Sequence, residues 1–377
     1  MFEKFFENFA LLFSFLAKDY PAIYSLLSDG IIGGVGAVLS FIPLIFVLFL
    51  LISALEDTGY VARIAFILDR LMRIFGLQGR SILALIISGG IGAGGCAVPG
   101  ILATRTLQER KDKIITMLVI PFMSCGAKLP VYALLIGAFF QNHRTMVMLT
   151  LWALSWLIAL ISAFILSRFV IRGEPTPFVL ELPPYHVPVF KSVLRHAWGR
   201  TWMYIRKAGT LILAVNIIMW ALIYIPIPHQ GTTQNNEQPG IESSIAGILG
   251  RAIEPVTKHI GFDWKVNIAL IGGMAAKEVI VGTLGTVYRM ETSENNVNEQ
   301  DSLSANLAQH KEWYPLRAFT LMIFVMLYAP CVATLVTIGR ETGTIRIPIF
   351  SLFFSTTVAF VVSLIVFHIG HLLSLGT

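Results

Sequence analysis

The chain has 377 residues, of which 55% are hydrophobic and only 13% are charged, and its formal net charge is +6. A soluble globular domain has about 25% charged residues, so this composition excludes an ordinary soluble protein and predicts a membrane protein. No basic run is interleaved with aromatic residues, so the positive charge indicates basic cytoplasmic loops and not nucleic-acid binding.

The first 30 residues predict an amphipathic segment on the membrane surface, because their short apolar part contains Glu3 and Glu7 and no signal cleavage site follows. After them, about eight apolar runs are each long enough to cross a hydrocarbon core of about 30 Å as a helix. Such runs are too long for barrel strands, so the fold class is an all-α polytopic bundle. The runs are 31–55, 81–104, 114–140, 145–171, 208–226, 266–288, 317–341 and 348–375.

Basic residues between the runs predict the orientation of the chain. The loop 105–113 holds four basic residues and the segment 168–207 holds seven, so both are expected in the cytoplasm. Within the second segment, 187–207 predicts an amphipathic helix at the inner surface. The loop 227–244 has no Lys or Arg and is expected outside, while counting the runs places 291–312 and both termini in the cytoplasm.

One segment conflicts with this count. Residues 56–80 would lie outside, although they contain four arginines, and an interfacial helix partly balanced by acidic residues is the expected explanation.

The chain also contains an internal repeat. Leu68-x-Arg70 leads through Gly76 to ALIISGG, and Leu249-x-Arg251 leads through Gly261 to ALIGG with the same spacing. Internal repeats are common in transporters, with the binding site at the repeat interface near the middle of the membrane. An offset of four crossings would make the repeats parallel, whereas one re-entrant segment would make them inverted. The predicted divisions are 1–30, a first repeat 31–171, a connection 172–207, and a second repeat 208–377 with polar loops 227–244 and 289–316.

Four of the runs are interrupted near their centres by residues that break helices or carry charge. All three cysteines of the chain lie in or beside these interruptions. Broken backbone and ionisable side chains at this depth are tolerated where they line a wet cavity, so they predict a functional site. The interruptions are SGGIGAGGCAVPG at 88–100, Pro121–Lys128, Lys277–Glu278 and Pro330–Cys331.

The side chains in these interruptions predict a site for a divalent transition metal. Thiolates, a carboxylate and freed main-chain carbonyls suit a borderline cation, whereas sodium or magnesium would recruit oxygen alone. The predicted ligands are Cys96, Cys125, Cys331 and Glu278. The candidate gating residues or charge partners are Lys128 and Lys277, which would pair with Glu278 in the empty site, and Met123 and Met274, which would add thioether contacts.

Several stretches resemble the membrane part of the ferrous iron transport protein B family, over about residues 30–370. Two of them also resemble the gate modules shared with nucleoside-recognition membrane proteins, which fits the internal repeat. The matching segments are GVGAVLSFIPLIFVLFLLISALEDTGYVAR (34–63), GCAVPGILATRTLQERKDK (95–113), PFMSCGAKLPVYALLIGAFF (121–140), AAKEVIVGTLGTVY (275–288) and APCVATLVTIGRETG (329–343).

The resemblance implies a multi-pass permease of the prokaryotic cell (inner) membrane that imports Fe(II) as its substrate. It implies neither enzymatic activity nor a permanently bound cofactor. The three cysteines match the motif cysteines of the family, and Glu278 matches the glutamate of its Lys-Glu-Val motif. The implied partners are the lipid bilayer, a GTP-binding protein and a small cytoplasmic accessory protein, and a homo-oligomer is left open.

The sequence departs from the family in two respects. It contains no GxxxxGK[ST] string, so nucleotide binding is expected on a separate polypeptide, unless the chain is a membrane-only paralogue. Ala97-Val98-Pro99-Gly100 stands where the family usually has Asn-Val-Pro-Ala, which leaves manganese or another divalent ion open as the substrate.

Three rival functions follow from other readings of the same residues. A transporter of nucleosides or other small solutes would require amides and aromatic residues at the site. An intramembrane enzyme would require a motif such as HExxH or GxSxG, and the runs contain neither. A scaffold protein would not require buried charge.

Overall fold

The computed structural model of the chain describes residues 57–90, 95–107, 109–171, 187–206, 245–275, 277–289 and 313–373, with scattered positions at 42–55, 185, 214, 217 and 307. Within these residues the secondary structure is helical, and the only β contact is one parallel bridge between Gly95 and Cys125. The predicted all-α class is therefore confirmed. Outside the described residues lie the predicted segments 1–30, 227–244 and 291–312 and most of the predicted crossings 31–55 and 208–226.

The chain divides into two compact units, residues 1–62 with 182–248 and residues 63–181 with 249–377. The first unit contains α7, the amphipathic helix predicted over 187–207, and the second contains all of the predicted site. The described helices are α1 Tyr60–Ile74, α2 Ser81–Leu85, α3 Ala97–Ala103, α4 Arg110–Val119, α5 Leu129–Phe139, α6 Arg144–Ile165, α7 Phe190–Tyr204, α8 Ile245–Thr257, α9 Trp264–Ala275, α10 Val279–Arg289, α11 Pro315–Leu327, α12 Val332–Thr342 and α13 Arg346–Leu372.

Three apolar stretches of the described chain are long enough to cross a membrane. They are Gln141–Val170 around α6, Pro315–Thr342 with α11 and α12, and Arg346–Leu372, which is α13. Both α6 and α13 are continuous, and both expose large apolar side chains such as Leu157 and Phe353. An outer surface of this kind suits contact with lipid hydrocarbon.

The run 81–104, predicted as one crossing, folds back on itself. Helix α2 continues through a π-helical turn at Ile86–Gly90, and α3 returns along it. Gly100 of α3 lies against Ala84 and Ser88, and the N–H of Cys96 bonds to the carbonyl of Ile87 over 3.2 Å. We call this element hairpin A. The prediction of a single crossing is wrong here, because the glycine-rich middle of the run allows the chain to reverse.

The run 266–288 forms a second hairpin, hairpin B, from α9 and α10. Near its tip Gly273 lies against Ile280, and at its base the hydroxyl of Tyr288 bonds to a carboxylate oxygen of Asp263 over 3.1 Å. Both ends of the run therefore lie at the same side, and the predicted single crossing is again wrong. The polar pair Lys277–Glu278 stands at the turn, where a continuous helix would have had to bury both charges in its middle.

Two other interrupted runs do cross the unit. Helices α4 and α5 are joined by residues 120–128, which we call break A, and α6 packs along both helices and along the turn between them. The hydroxyl of Ser155, in the middle of α6, bonds to the carbonyl of Phe122 over 2.9 Å. Similarly, α11 and α12 are joined by extended residues 328–331, called break B, and α13 packs along both.

The two hairpins open at opposite ends of this unit. Hairpin A has its base beside α4: α3 ends only seven residues before α4 begins, and Thr116, in the second half of α4, donates a hydrogen bond over 2.9 Å to Ser81 at the start of α2. Hairpin B has its base at the beginning of α11, which lies beside the far end of α5: Phe139 stacks on Trp313 with ring centroids 6.1 Å apart. Because α4 and α5 together cross the unit, we call the two sides end A and end B.

The two copies of the sequence repeat terminate a helix in the same way. Gly76 and Gly261 have φ angles of 74° and 79°, in the left-handed region that glycine adopts without a Cβ penalty. In both copies the residue after the glycine donates its N–H to the carbonyl five residues earlier, over 3.0 and 3.1 Å. This is the Schellman pattern of a helix C-terminus. The boundaries between the two units, after residues 62 and 248, also fall at matching places in the copies.

Candidate metal site

The predicted site residues lie at the two hairpin tips and the two breaks. Cys96 directly precedes α3 in hairpin A, and Glu278 directly precedes α10 in hairpin B. Cys125 follows the first turn of break A, and Cys331 ends break B directly before α12. Proline, glycine or charged residues interrupt the helices at all four places. The interruptions predicted from the sequence therefore coincide with the interruptions in the structure.

The structure brings the four predicted ligands into one region. A parallel bridge between Gly95 and Cys125 places the tip of hairpin A beside break A, and helices α3 and α12, which follow Cys96 and Cys331, pack against each other. A hydrogen bond from Lys277 to Ala329 O places the tip of hairpin B, with Glu278, beside break B. A main-chain hydrogen bond of 3.0 Å from Gly126 to Gly95 joins break A to the tip of hairpin A. All three cysteines are free and, as whole residues, partly exposed, and the Cys331 sulfur lies 3.1 Å from the Thr334 hydroxyl.

The four side chains do not form a ready-made metal cluster. Within the described part of the chain, which includes all four, no three His, Cys, Asp or Glu side chains are grouped so that they could hold one metal ion. The three thiols and the carboxylate therefore lie on neighbouring elements without being grouped closely enough to hold one ion.

Lys128 is buried and donates three hydrogen bonds to main-chain carbonyls. Its ammonium group lies 3.2 Å from Pro121 O and 2.8 Å from Met123 O, both in break A, and 2.6 Å from Met326 O in the last turn of α11. Interrupting a helix leaves carbonyls without their usual N–H partners, and a buried carbonyl without a donor is costly. Lys128 supplies the missing donors for two interrupted crossings at once.

Lys277 plays a similar part at break B. Its ammonium group donates to Ala329 O over 2.9 Å and lies 3.2 Å from the ring centroid of Tyr328. The hydroxyl of Tyr328 donates in turn to Leu270 O over 3.3 Å, which ties break B to α9 of hairpin B. The predicted pairing of a lysine with Glu278 is not what the structure shows, because both ammonium groups are bound to main-chain carbonyls instead.

The two predicted methionines contribute differently. Met123 is buried and takes part through its carbonyl, whereas Met274 is exposed on α9. Sequence reasoning missed Tyr328 and Thr334, which contact Lys277 and Cys331. The signal for both was their position near Ala329-Pro330-Cys331, directly before it for Tyr328 and three residues after it for Thr334, where a helix break frees hydrogen-bonding groups.

Two family models match the chain. The Gate model, described as nucleoside recognition, matches residues 38–139 and 205–345, so it matches in two separate segments. The model described as Ferrous iron transport protein B C terminus matches residues 148–200.

Curated relatives match nearly the whole chain. The Fe(2+) transport protein A/Fe(2+) transporter FeoB fusion protein of Porphyromonas gingivalis is 39% identical over 92% of this chain and 44% of its own length. The Fe(2+) transporter FeoB of Methanocaldococcus jannaschii is 40% identical over 93% of this chain and 50% of its own length. That of Campylobacter jejuni is 38% identical over 93% and 56%. The chain thus spans about half the length of these relatives, and no solved structure matches it significantly.

Proposed function

Because the chain belongs to the Gate family and represents the membrane part of the ferrous iron transport protein B family, we propose that it is a permease that imports Fe(II) across the prokaryotic cell membrane. The relatives are named as transporters and not as enzymes. The observation that supports the proposal is that main-chain contacts and helix packing bring the elements that carry the three cysteines and Glu278 side by side.

The chemistry of these groups suits Fe(II). Fe(II) is a borderline cation that accepts thiolate, carboxylate and carbonyl ligands, and it is the transported substrate in this proposal. Cys96, Cys125 and Cys331 would bind it, and the carboxylate of Glu278 would balance part of its charge. Since the three cysteines are partly exposed residues and do not form a preformed metal cluster, the ion would bind transiently, as a substrate that must also leave.

The hairpins support an inverted arrangement of the two repeats. Each repeat would then have three crossings and one hairpin, and the hairpins would enter from opposite faces, as they do at ends A and B. Loop 105–113 and residues 63–80, which carry the four arginines, then both lie at end A, so these arginines no longer conflict with the positive-inside rule. In this proposal end A is the cytoplasmic face, and the loop between α10 and α11 lies at the outer face instead of the inner face.

Partners follow from the relatives. The Porphyromonas gingivalis relative is named as a fusion with Fe(2+) transport protein A, so a small accessory protein at the cytoplasmic face is the counterpart for this chain. A GTP-binding protein would dock at the same face, on the basic segments 105–113 and 168–207.

Flux measurements in proteoliposomes test the proposal. Fe(II) influx should fall about tenfold or more in Cys125→Ser and Cys331→Ser, because a hydroxyl is a poor replacement for a thiolate ligand. Thr150→Ser, on an exposed face of α6, is the matched control and should transport like the unaltered chain. Unchanged influx in both cysteine variants would refute the thiol site.

A second candidate comes from the description of the Gate model, which names nucleoside recognition. Uridine and Mn(II) should therefore be offered to the same vesicles. Fe(II) influx that is blocked by excess Mn(II) but unaffected by uridine supports the metal permease. Uridine influx that survives loss of the thiols supports a nucleoside transporter.

A further inference from the structure

A charged cluster stands at end A, between the two repeats. Nε of Arg105 donates to both carboxylate oxygens of Glu341, over 2.9 and 3.0 Å, and Nη2 of the same guanidinium also contacts the carboxylate. Nζ of Lys113 lies 3.6 Å from the same group. The Glu341 side chain is only 8% exposed, whereas that of Arg105 is 59% exposed. The carboxylate is thus covered by two cations that face the solution.

The cluster lies at the end of a direct connection from the candidate site. Helix α3 begins immediately after Cys96, helix α12 begins immediately after Cys331, and the two helices pack against each other. Arg105 follows the last residue of α3 by two positions, and Glu341 lies in the last turn of α12. Two helices that start at the thiols are therefore joined by an ion pair where they reach end A.

The matching contact at end B is built differently. There Nη2 of Arg317 lies 2.8 Å from Asp263, the side chains are only 7% and 19% exposed, and the Tyr288 hydroxyl adds a bond to the same oxygen. An ion pair with one largely exposed partner, such as Arg105, is weakened by solvent and salt, whereas breaking a pair with both partners buried leaves an uncompensated charge. The contact at end A is therefore the one that opens more readily.

We propose that the Arg105–Glu341 ion pair is a gate on the route between the thiol site and end A. Release of Arg105 separates the ends of α3 and α12 and uncovers the Glu341 carboxylate, which then attracts a cation that leaves the site. The inference depends on the proposed function only for the identity of this cation. The gating itself is a property of access to the three thiols.

Thiol accessibility in proteoliposomes of the full chain tests the gate. A membrane-impermeant maleimide applied at the side of end A labels Cys96 and Cys331, and the rate is read by peptide mass spectrometry. Arg105→Gln and Glu341→Gln should label about two- to fivefold faster, the population shift expected from loss of a partly exposed ion pair. The charge swap Arg105→Glu with Glu341→Arg should return the rate toward that of the unaltered chain.

Arg73→Gln is the matched control, because Arg73 also forms a partly exposed ion pair, with Asp69 over 2.7 Å, but within a single helix. Its labelling rate should not change. Unchanged rates in Arg105→Gln and Glu341→Gln, or a swap that does not restore slow labelling, overturn the gate. If Glu341→Gln does not fold, the labelling rates of Arg105→Gln and Arg105→Lys provide the test instead. Faster labelling together with normal Fe(II) influx in the cysteine variants would leave the gate standing and refute the metal site.

Discussion

The ammonium group of Lys128 donates a hydrogen bond of 2.6 Å to the main-chain carbonyl of Met326, a residue 198 positions later in the chain. Because its other two bonds go to Pro121 and Met123, one side chain holds the end of α11 against break A. The two interrupted crossings of the unit are therefore coupled through a single buried cation. That coupling predicts a large cost when the cation is removed.

Lys128→Met should lower the free energy of unfolding by about 2–5 kcal/mol, because three buried carbonyls lose a charged donor. Urea unfolding in detergent, followed by intrinsic fluorescence, measures the change. Lys113→Met is the control, since Lys113 is 25% exposed and its ion pair is long, at 3.6 Å. It should cost less than about 1 kcal/mol. Equal costs for the two variants would contradict the role assigned to Lys128.

The left-handed glycines form a graded series. Gly343→Ala should cost about 1 kcal/mol, because its φ is 66° and nothing lies within 4 Å of the added Cβ. Gly76→Ala and Gly261→Ala should cost more, because their added Cβ atoms would also meet Ser167 and the ring of Phe367. Thermal unfolding of the three variants measures the order. A Gly343 variant as unstable as the other two would show that the contacts add nothing.

Asp112 predicts a pH dependence of stability. Burial raises the pKa of its carboxyl above the ordinary value, and the nearby charge of Lys111 opposes only part of this effect. The ionised form is therefore less favourable in the folded protein than in the unfolded chain. The contribution of the Asp112 side chain to stability is largest below the unfolded-state pKa and is lost as the pH rises through the folded-state pKa.

Asp112→Asn should consequently raise the melting temperature at pH 7.5, and this advantage should narrow as the pH is lowered. Melting curves of the two proteins from pH 7.5 down to about pH 4, near the ordinary pKa of aspartate, provide the test. Glu254→Gln, a partly buried carboxyl on α8, is the control and should follow the unaltered chain. A difference that stays constant over the whole pH range would point to packing instead of ionisation.

The stability of the base of hairpin B should depend on the carboxylate of Asp263. Asp263→Asn should cost about 2–5 kcal/mol, because the buried Arg317 loses its counter-charge. Tyr288→Phe removes only the 3.1 Å hydrogen bond to the same oxygen and should cost about 0.5–1.5 kcal/mol. Chemical unfolding of both variants measures the two losses in the free energy of unfolding, which can then be compared. A Tyr288 variant that is the less stable of the two would mean that the tyrosine hydroxyl, and not the ion pair, holds the base.

The interruptions of the helices could be predicted from the sequence, because glycine, proline and charge act on the chain within a few residues. Pro121, Pro330 and the Lys277–Glu278 pair mark three of the four places where the structure departs from regular helix. The same local signals could not distinguish a kinked crossing from a hairpin. A run of about 23 apolar residues satisfies the length of one crossing and equally that of two short helices that reverse.

The contacts of the lysines could not be predicted either. The sequence predicts that Lys128 or Lys277 pairs with Glu278, because opposite charges near the middle of the predicted crossings attract each other. The structure gives both lysines carbonyl partners, and one of these, Met326 O, is brought near only by the packing of α11 against break A. Which partner a buried lysine binds depends on tertiary structure, and hydropathy and residue spacing carry no information about it.

The length of the hairpins has an electrical consequence. Helix α9 has 12 residues, about 18 Å at 1.5 Å per residue, so the tip of hairpin B reaches roughly the middle of a hydrocarbon core of about 30 Å. In the proposed permease, a divalent ion that arrives there from the outer face has crossed about half of the membrane voltage, worth about 2.3 kcal/mol per 100 mV for two charges. A potential that is negative inside therefore draws the ion inward on each half of its path, so the rate of uptake should respond to voltage on both sides of the thiols.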